Sequence, residues 1–266
     1  MKIDLNQFLL QVCDIAVKAG SIINKFYKLN NNISFKEDQS PLTEADLASN
    51  TFIINSLSTL NSDIPIFTEE SLISWTERKN WSLYWLVDPL DGTKEFINQN
   101  DEFAINIALI ENNQPILGVI YAPALSILYF ALANNGAKKI IVKKNLLSIE
   151  SSISIKANTK KRTEHLIVIG SRSDSNTEYD KWLKENINDY ELIKKGSSLK
   201  FCELAEGKAD IYPRFGPTSE WDIAAGHIIL VEAGGEIQSI DGKKIFYNTS
   251  ENVINPHFIA SCKLIK

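Results

Sequence analysis

Cysteine is scarce in this chain of 266 residues: Cys13, Cys202 and Cys262 are the whole complement. They are odd in number, far apart and form no Cys-x-x-Cys pair. That argues against a disulfide framework and against a zinc site, and it fits a reducing cytosol. All three read as small buried hydrophobes. The three histidines, His165, His227 and His257, stand in no Ser-His-Asp or phosphohistidine context. No apolar run reaches the ~18 residues of a membrane span. Met1 to Gln7 carry acid and amide side chains where a signal peptide would need a basic region and an apolar core. No internal repeat is present, and the Asn/Lys-rich patches at 30–32 and 143–145 read as solvated loops. A basic excess is missing too. The net charge of −5 argues against a nucleic-acid polymer as partner, yet a small polyanion can still be held in a local basic pocket.

What is present is globular. Hydrophobic residues make up 44% and charged residues 23%, enough for one large layered unit or two closely packed subdomains. Apolar groups at Leu5, Phe8, Leu9, Val12, Ile15, Ala16, Ala19, Ile22, Ile23 and Phe26 predict an amphipathic helix over 4–28. Residues 30–42 lack period and read as a loop. A second helix runs over 43–60, with Leu47, Phe52, Ile53, Ile54 and Leu57 inward. Thr43 and Asp46 have capping-box spacing, so Asp46 reads either as a cap or as a functional acid. Strands follow at 64–68, 103–110, 116–121, 127–131 and 139–142, separated by Asn/Gly/Pro turns. They predict a largely antiparallel sheet closed over by the first two helices. After about Lys156 strands alternate with helices, the rhythm of an α/β unit. The expected division is an N-terminal α+β half at 1–155 and a C-terminal α/β half at 156–266, with no flexible linker.

One stretch organises the chain: Trp85-Leu86-Val87-Asp88-Pro89-Leu90-Asp91-Gly92-Thr93-Lys94-Glu95-Phe96. Tyr84 to Val87 reads as a buried strand ending at Asp88. Pro89 removes a backbone donor and Gly92 permits an unusual turn. Two carboxylates this close repel unless a cation lies between them, and a hard divalent ion such as Mg²⁺ takes oxygen ligands. An ordinary Asp-Pro/Asp-Gly turn is the alternative. Glu69-Glu70, at the end of the 64–68 strand, reads on its own as a solvated charge pair. Asp222, in Glu220-Trp221-Asp222-Ile223-Ala224-Ala225-Gly226, sits at an expected helix start and reads as an N-cap. Alone, Lys200 and Arg214 read as surface charges.

Together, Glu69-Glu70, Asp88-Pro89-Leu90-Asp91-Gly92-Thr93 and Trp221-Asp222-Ile223-Ala224-Ala225-Gly226 resemble the lithium-sensitive, metal-dependent phosphatase superfamily that includes inositol monophosphatase. The motifs occur in family order across both halves. Lys94-Glu95-Phe96-Ile97, Ile116 to Pro123, Gly196 to Cys202 and Tyr212 to Thr218 are similar to the 3′(2′),5′-bisphosphate nucleotidases within it. The resemblance implies an α+β fold, a layered αβαβα sandwich of the inositol monophosphatase/fructose-1,6-bisphosphatase type. It implies two or three Mg²⁺ ions on Glu69, Asp88, the Leu90 carbonyl, Asp91 and Asp222. Asp46, Thr93 and Glu69 would be catalytic: Thr93 would hold the attacking water and Asp46 would help polarise it, without a covalent phosphoenzyme. Substrate contacts would come from Glu69, Leu90, Asp91, Gly92, Thr93 and Asp222. Ser197, Ser198, Lys200 and Arg214 would hold the phosphate that is not cleaved.

The implied reaction is hydrolysis of the 3′-phosphate of adenosine 3′,5′-bisphosphate to AMP and phosphate, with 3′-phosphoadenylyl sulfate as a second substrate. The partner would be that small bisphosphorylated nucleotide. The implied place is the cytoplasm, with peripheral association with the inner face of the membrane as a variant and no integral membrane segment. One position departs from the pattern: Asp174 stands where related nucleotidases commonly have a histidine that can contact the nucleotide. It keeps alive an inositol monophosphatase or a broad sugar phosphatase. A non-catalytic nucleotide-binding regulator is the alternative from another class.

Overall fold

Asp4 accepts the backbone N–H groups of Asn6 and Gln7 and so caps α1 (Leu5–Phe26). In this computed structural model residues 4–29, 33–36, 41–172 and 177–265 are described. Along α1, Leu9, Val12, Ala16, Ala19 and Ile23 are buried, the stripe expected of a helix lying on a sheet. The 30–42 segment, expected to be a loop, contains a short antiparallel pair, β1 (Ile33–Phe35) with β2 (Pro41–Thr43). Three-residue strands are too short to show a period in sequence. α2 (Glu44–Leu60) follows at once. Its buried face is Ala45, Asp46, Ser49, Asn50, Ile53 and Leu57, while Leu47 is exposed. The apolar spacing predicts Leu47 inward. It is outward because the first turns of α2 present polar groups to the protein, as where the Ser49 hydroxyl donates to the Pro89 carbonyl at 2.8 Å.

A seven-stranded sheet carries the first half. In chain and spatial order it is β3 (Ile66–Thr68), β4 (Leu83–Asp91), β5 (Ala104–Glu111), β6 (Gln114–Ala122), β7 (Ile127–Leu132), β8 (Ala137–Ile141) and β9 (Ile153–Ile155). Only β3 and β4 pair in parallel, joined through the short α3 (Trp75–Arg78). The one-turn α4 (Thr93–Ile97) links β4 to β5. Neither short helix carries a readable period. β4 continues past Asp88, its expected end, to Asp91 through an irregularity discussed below.

A 3₁₀ turn at Ile149–Ser151 precedes β9, and the remaining strands and α-helices are β10 (Thr159–Lys161), β11 (Leu166–Gly170), α5 (Thr177–Asn186), β12 (Tyr190–Lys194), α6 (Leu199–Ala205), β13 (Ile211–Arg214), α7 (Glu220–Glu232), β14 (Glu236–Ser239), β15 (Phe258–Ser261) and β16 (Lys263–Ile265). Five of these strands form a second sheet in the order β12-β11-β13-β15-β14. Its first three strands are parallel, and β15 runs antiparallel to both of its neighbours. β10 and β16 pair apart from it.

Three apolar clusters define five layers. α1 and α2 cover one face of the large sheet, where Val12, Ala16 and Ile53 meet Trp85, Val87 and Ile107. α6 and α7 fill the space between the two sheets, with Phe201, Ala225 and Ile228 against Leu86, Ala108 and Ile120 on one side and Tyr212 and Phe258 on the other. α5 covers the far face of the small sheet through Tyr179 and Leu183. This is the αβαβα sandwich expected. Lying between two sheets, α7 buries ten residues on all sides and shows no amphipathic stripe.

Candidate metal and phosphate site

Parallel pairing of β3 with β4 sets Thr68 beside Val87, so the next residues, Glu69 and Asp88, leave the sheet together. The Glu69 N–H donates to the Val87 carbonyl at 3.1 Å and fixes that alignment. Asp88 pairs with Asn106 across β5, but Asp91 pairs with Ala104. Three steps on β4 therefore face two on β5, a bulge that re-aims the strand end. Pro89 lies inside it, where the missing donor costs no ladder bond. The Leu90 N–H turns back to Asp88 Oδ1 at 3.0 Å. Gly92 then takes φ = +87° and caps α4. A side chain there would be strained and crowded, with the Glu102 carbonyl 3.1 Å from its Cβ.

Three carboxylates converge at this point. Glu69, Asp88 and Asp222 each offer an oxygen, and these oxygens lie within 4.8 Å of one another. Burial raises the Asp88 carboxyl well above the usual range, and Glu69, Asp91 and Asp222 raise it further. Burial, then Asp91 and Glu69, does the same to Asp222, against the Ser219 N–H and Arg214. Glu69 is also raised by burial, with Lys36 opposing. Lys36 donates to Glu69 Oε1 at 2.5 Å and to Glu70 Oε1 at 2.8 Å. Burial works against the Lys36 charge, but the two glutamates outweigh it and its pKa is raised. Clustered, desolvated acids with oxygen donors only are a fit for Mg²⁺, which prefers such ligands and relieves their repulsion. The other two expected ligands border the same space. The Leu90 carbonyl accepts from the Thr93 hydroxyl at 3.3 Å, and Asp91 Oδ2 accepts the Ser198 N–H.

Asp222 is not the N-cap of α7. Ser219 is, in extended conformation, and Asp222 is the third helical residue of a capping box, accepting the Ser219 N–H at 2.8 Å. Asp46 holds the same position in α2, where its Oδ2 accepts the Thr43 N–H at 2.8 Å. Its other oxygen accepts the Thr93 hydroxyl at 3.1 Å. Asp46 is thus both a capping-box acid and a neighbour of the acidic cluster through Thr93.

Two adjoining cavities frame the centre. One, of about 410 Å³, is lined by Glu69, Asp88, Leu90, Asp91, Gly92, Thr93 and Asp222. The other, of about 160 Å³, is lined by Ser171, Ser197, Ser198, Lys200, Tyr212 and Arg214. They share Asp91, Gly92, Lys94, Glu95, Thr218 and Asp222. Lys94 and Glu95 therefore stand between the cavities, while Phe96 is core, stacked edge-on to Phe103. Ser198 is at the site but its donors are committed to protein: its N–H goes to Asp91 and its hydroxyl to Asn106 Oδ1 at 2.7 Å. Lys200 is 6% exposed and donates to the Ser197 carbonyl. Arg214 donates to the Pro217 carbonyl at 3.1 Å.

Three site residues escaped the sequence reading. Lys36 lay in an aperiodic loop. Asn106 had a signal, being a lone amide in an apolar strand and opposite Asp88. Glu102 had none. Asp174 and the 30–32 and 37–40 parts of the early loop lie outside the described residues.

A family model for the inositol monophosphatase family matches residues 4–264, and the chain belongs to that family. Within it, the chain is 43% identical over 250 residues to a protein of Salmonella typhimurium named 3′(2′),5′-bisphosphate nucleotidase CysQ, spanning 93% of this chain and 97% of the relative. CysQ of Escherichia coli K12 is 41% identical over 253 residues, 94% of this chain and 98% of the relative. The crystal structure of CysQ from Bacteroides thetaiotaomicron, a bacterial member of the same family, matches with a TM-score of 0.85 at 38% identity, covering 99% of this chain and all of that one. The family is magnesium-dependent in general, and the acidic cluster of Glu69, Asp88 and Asp222 could bind a metal ion. No helix among the described residues is long and apolar enough to cross a membrane.

Proposed function

We propose that this protein is a Mg²⁺-dependent 3′(2′),5′-bisphosphate nucleotidase that removes the 3′-phosphate of adenosine 3′,5′-bisphosphate to give AMP and phosphate. Its second substrate would be 3′-phosphoadenylyl sulfate, and its place the cytoplasm. The observation that carries the reading is the second cavity beside the acidic one: a bisphosphate has two anionic ends, and Lys200 and Arg214 border only the second cavity, Glu69 and Asp88 only the first, with Lys94, Glu95, Asp91 and Asp222 shared between them. The 41–44% identity to proteins named CysQ supports the same substrate.

Glu69, Asp88, Asp91, Asp222 and the Leu90 carbonyl would hold two or three Mg²⁺ ions. Bound there, Mg²⁺ supplies positive charge to the phosphate oxygens and acidifies the attacking water. The residues of the chain orient the reactants. Thr93, its hydroxyl directed to Asp46, offers its own oxygen lone pairs to a water that approaches the phosphorus. Asp46 accepts the Thr43 N–H through one oxygen and the Thr93 hydroxyl through the other, and so keeps that hydroxyl aimed. Lys200 and Arg214 take the second phosphate, the arginine through its planar fork. Binding energy at that end positions the scissile end.

The test is phosphate release from purified protein, with and without Mg²⁺, for adenosine 3′,5′-bisphosphate, inositol 1-phosphate and fructose 1,6-bisphosphate. The nucleotide should be strongly preferred. Preference for either other substrate would replace this reading with that of an inositol or sugar phosphatase, and binding without turnover with that of a regulator.

A further inference from the structure

The Glu102 carboxylate meets two segments that wall the second cavity. Arg172 grips it with both arms of its guanidinium, Nε to Oε2 and Nη2 to Oε1, each at 2.7 Å. The Gly196 N–H donates to Oε2 at 2.8 Å. Arg172 is next to Ser171, and Gly196 is next to Ser197, and both serines line the cavity. The backbone carbonyl of Glu102 presses on the same place. A Cβ on Gly196 would lie 3.0 Å from it and 2.5 Å from Glu95 Cγ, so only glycine lets the turn approach this closely.

The turn itself is held under constraint. Ser197 has φ = +50°, a conformation that non-glycine residues avoid. The bond from Gly196 to Glu102 fixes its start, and the bond from Ser198 to Asp91 fixes its end. The Ser197 carbonyl in turn receives the Lys200 ammonium. Glu102 belongs to the segment entering β5 and is 94 residues from Gly196. It therefore joins the strand that supports the metal centre to the wall of the other cavity.

We propose that Glu102 is a positioning residue for the phosphate that is not cleaved. It assembles Ser171, Ser197 and Lys200 into one anion-holding wall and thereby sets the preference for bisphosphorylated over monophosphorylated nucleotides. This rests on the nucleotidase reading above. An ordinary ion pair would add stability only and would leave that preference alone.

The experiment compares kcat and KM for adenosine 3′,5′-bisphosphate and 3′-AMP in the Mg²⁺-loaded full chain, with Glu102→Ala, Glu102→Gln and Arg172→Ala. In Glu102→Ala the ratio of the two kcat/KM values should fall about tenfold, as expected when a binding wall shifts by a fraction of an ångström, mostly through KM of the bisphosphate. Glu102→Gln keeps an acceptor for the Gly196 N–H and should recover part of the ratio. If the alanine variant does not fold, the glutamine and Arg172 variants carry the comparison. An unchanged ratio in folded variants, or equal losses on both substrates, overturns the role of Glu102 alone. A wild-type ratio near one overturns the nucleotidase reading and this role with it.

Discussion

The Thr93 hydroxyl donates to Asp46 Oδ1 across 3.1 Å, tying the first turn of α4 to the first turn of α2 over 47 residues of chain. The same Asp46 closes the capping box of α2 through its other oxygen. One side chain thus fixes a helix start and the hydroxyl beside the acidic centre.

Removing either partner should separate catalysis from metal binding. Thr93→Ala and Asp46→Ala should each lower kcat by about 100-fold, the lower range for a positioned proton-transfer group, with little change in Mg²⁺ affinity. Asp46→Ala should also cost about 1 kcal/mol of stability through the lost cap, and Thr93→Ala less. Steady-state kinetics at several Mg²⁺ concentrations and thermal unfolding check both. Equal rise in the Mg²⁺ requirement would place these residues among the ligands instead.

Asp88→Asn should nearly abolish turnover and weaken Mg²⁺ binding. In metal-free protein it should do the opposite to stability. Asp88 is buried beside Glu69, Asp91 and Asp222, so neutralising it relieves repulsion. The melting temperature with EDTA should rise above that of the native chain, and the increment from added Mg²⁺ should shrink. A lower melting temperature with EDTA would contradict the electrostatic picture of the cluster.

The raised carboxyls give a signed pH effect. Asp88, Asp222 and Glu69 all bind protons more tightly folded than unfolded. Above the unfolded value near ~4 the folded state then holds more protons than the unfolded one, and stability falls as pH rises towards the folded values. Metal-free protein should lose melting temperature as pH rises from about 4 upward. Saturating Mg²⁺ should flatten that slope, because bound cation takes the place of the protons. Scanning fluorimetry with EDTA and with Mg²⁺ reads both curves.

Arg214→Ala should raise KM for adenosine 3′,5′-bisphosphate by about tenfold, the loss of one charged hydrogen-bonding partner, and change small monoesters little. Arg214 borders the second cavity and not the first. Equal losses on both substrate types would remove it from the second phosphate.

The acids of the centre were legible only in combination: taken singly they read as a charge pair, a turn and a cap, and the resemblance of the three motifs together is what implied a metal site. Glu69 ends a strand, Asp88 and Asp91 flank Pro89, and Asp222 opens a helix. The two covering helices, the antiparallel sheet and the alternating second half were legible from periodicity, while the five-layer sandwich was implied by the resemblance. What was hidden depends on distant pairing. Glu102 meets Gly196 across 94 positions, and Ser198 meets Asn106 across 92. Nothing local in a Glu or a Ser announces such a partner. Leu47 departs from the inward place its spacing predicts because the inner face of α2 is polar at its start, where Asp46, Ser49 and Asn50 are buried. Asp222 was offset within its helix because a capping box puts the acid at the third helical position and the serine at the cap.

The most direct measurement is phosphate release from adenosine 3′,5′-bisphosphate by the purified chain in Mg²⁺ and after EDTA, beside inositol 1-phosphate at equal concentration. Rapid release from the nucleotide, loss of it in EDTA and slow release from the inositol ester are the predicted results. Release that survives EDTA, or faster hydrolysis of inositol 1-phosphate, would contradict a magnesium-dependent nucleotidase whose second cavity holds a second phosphate.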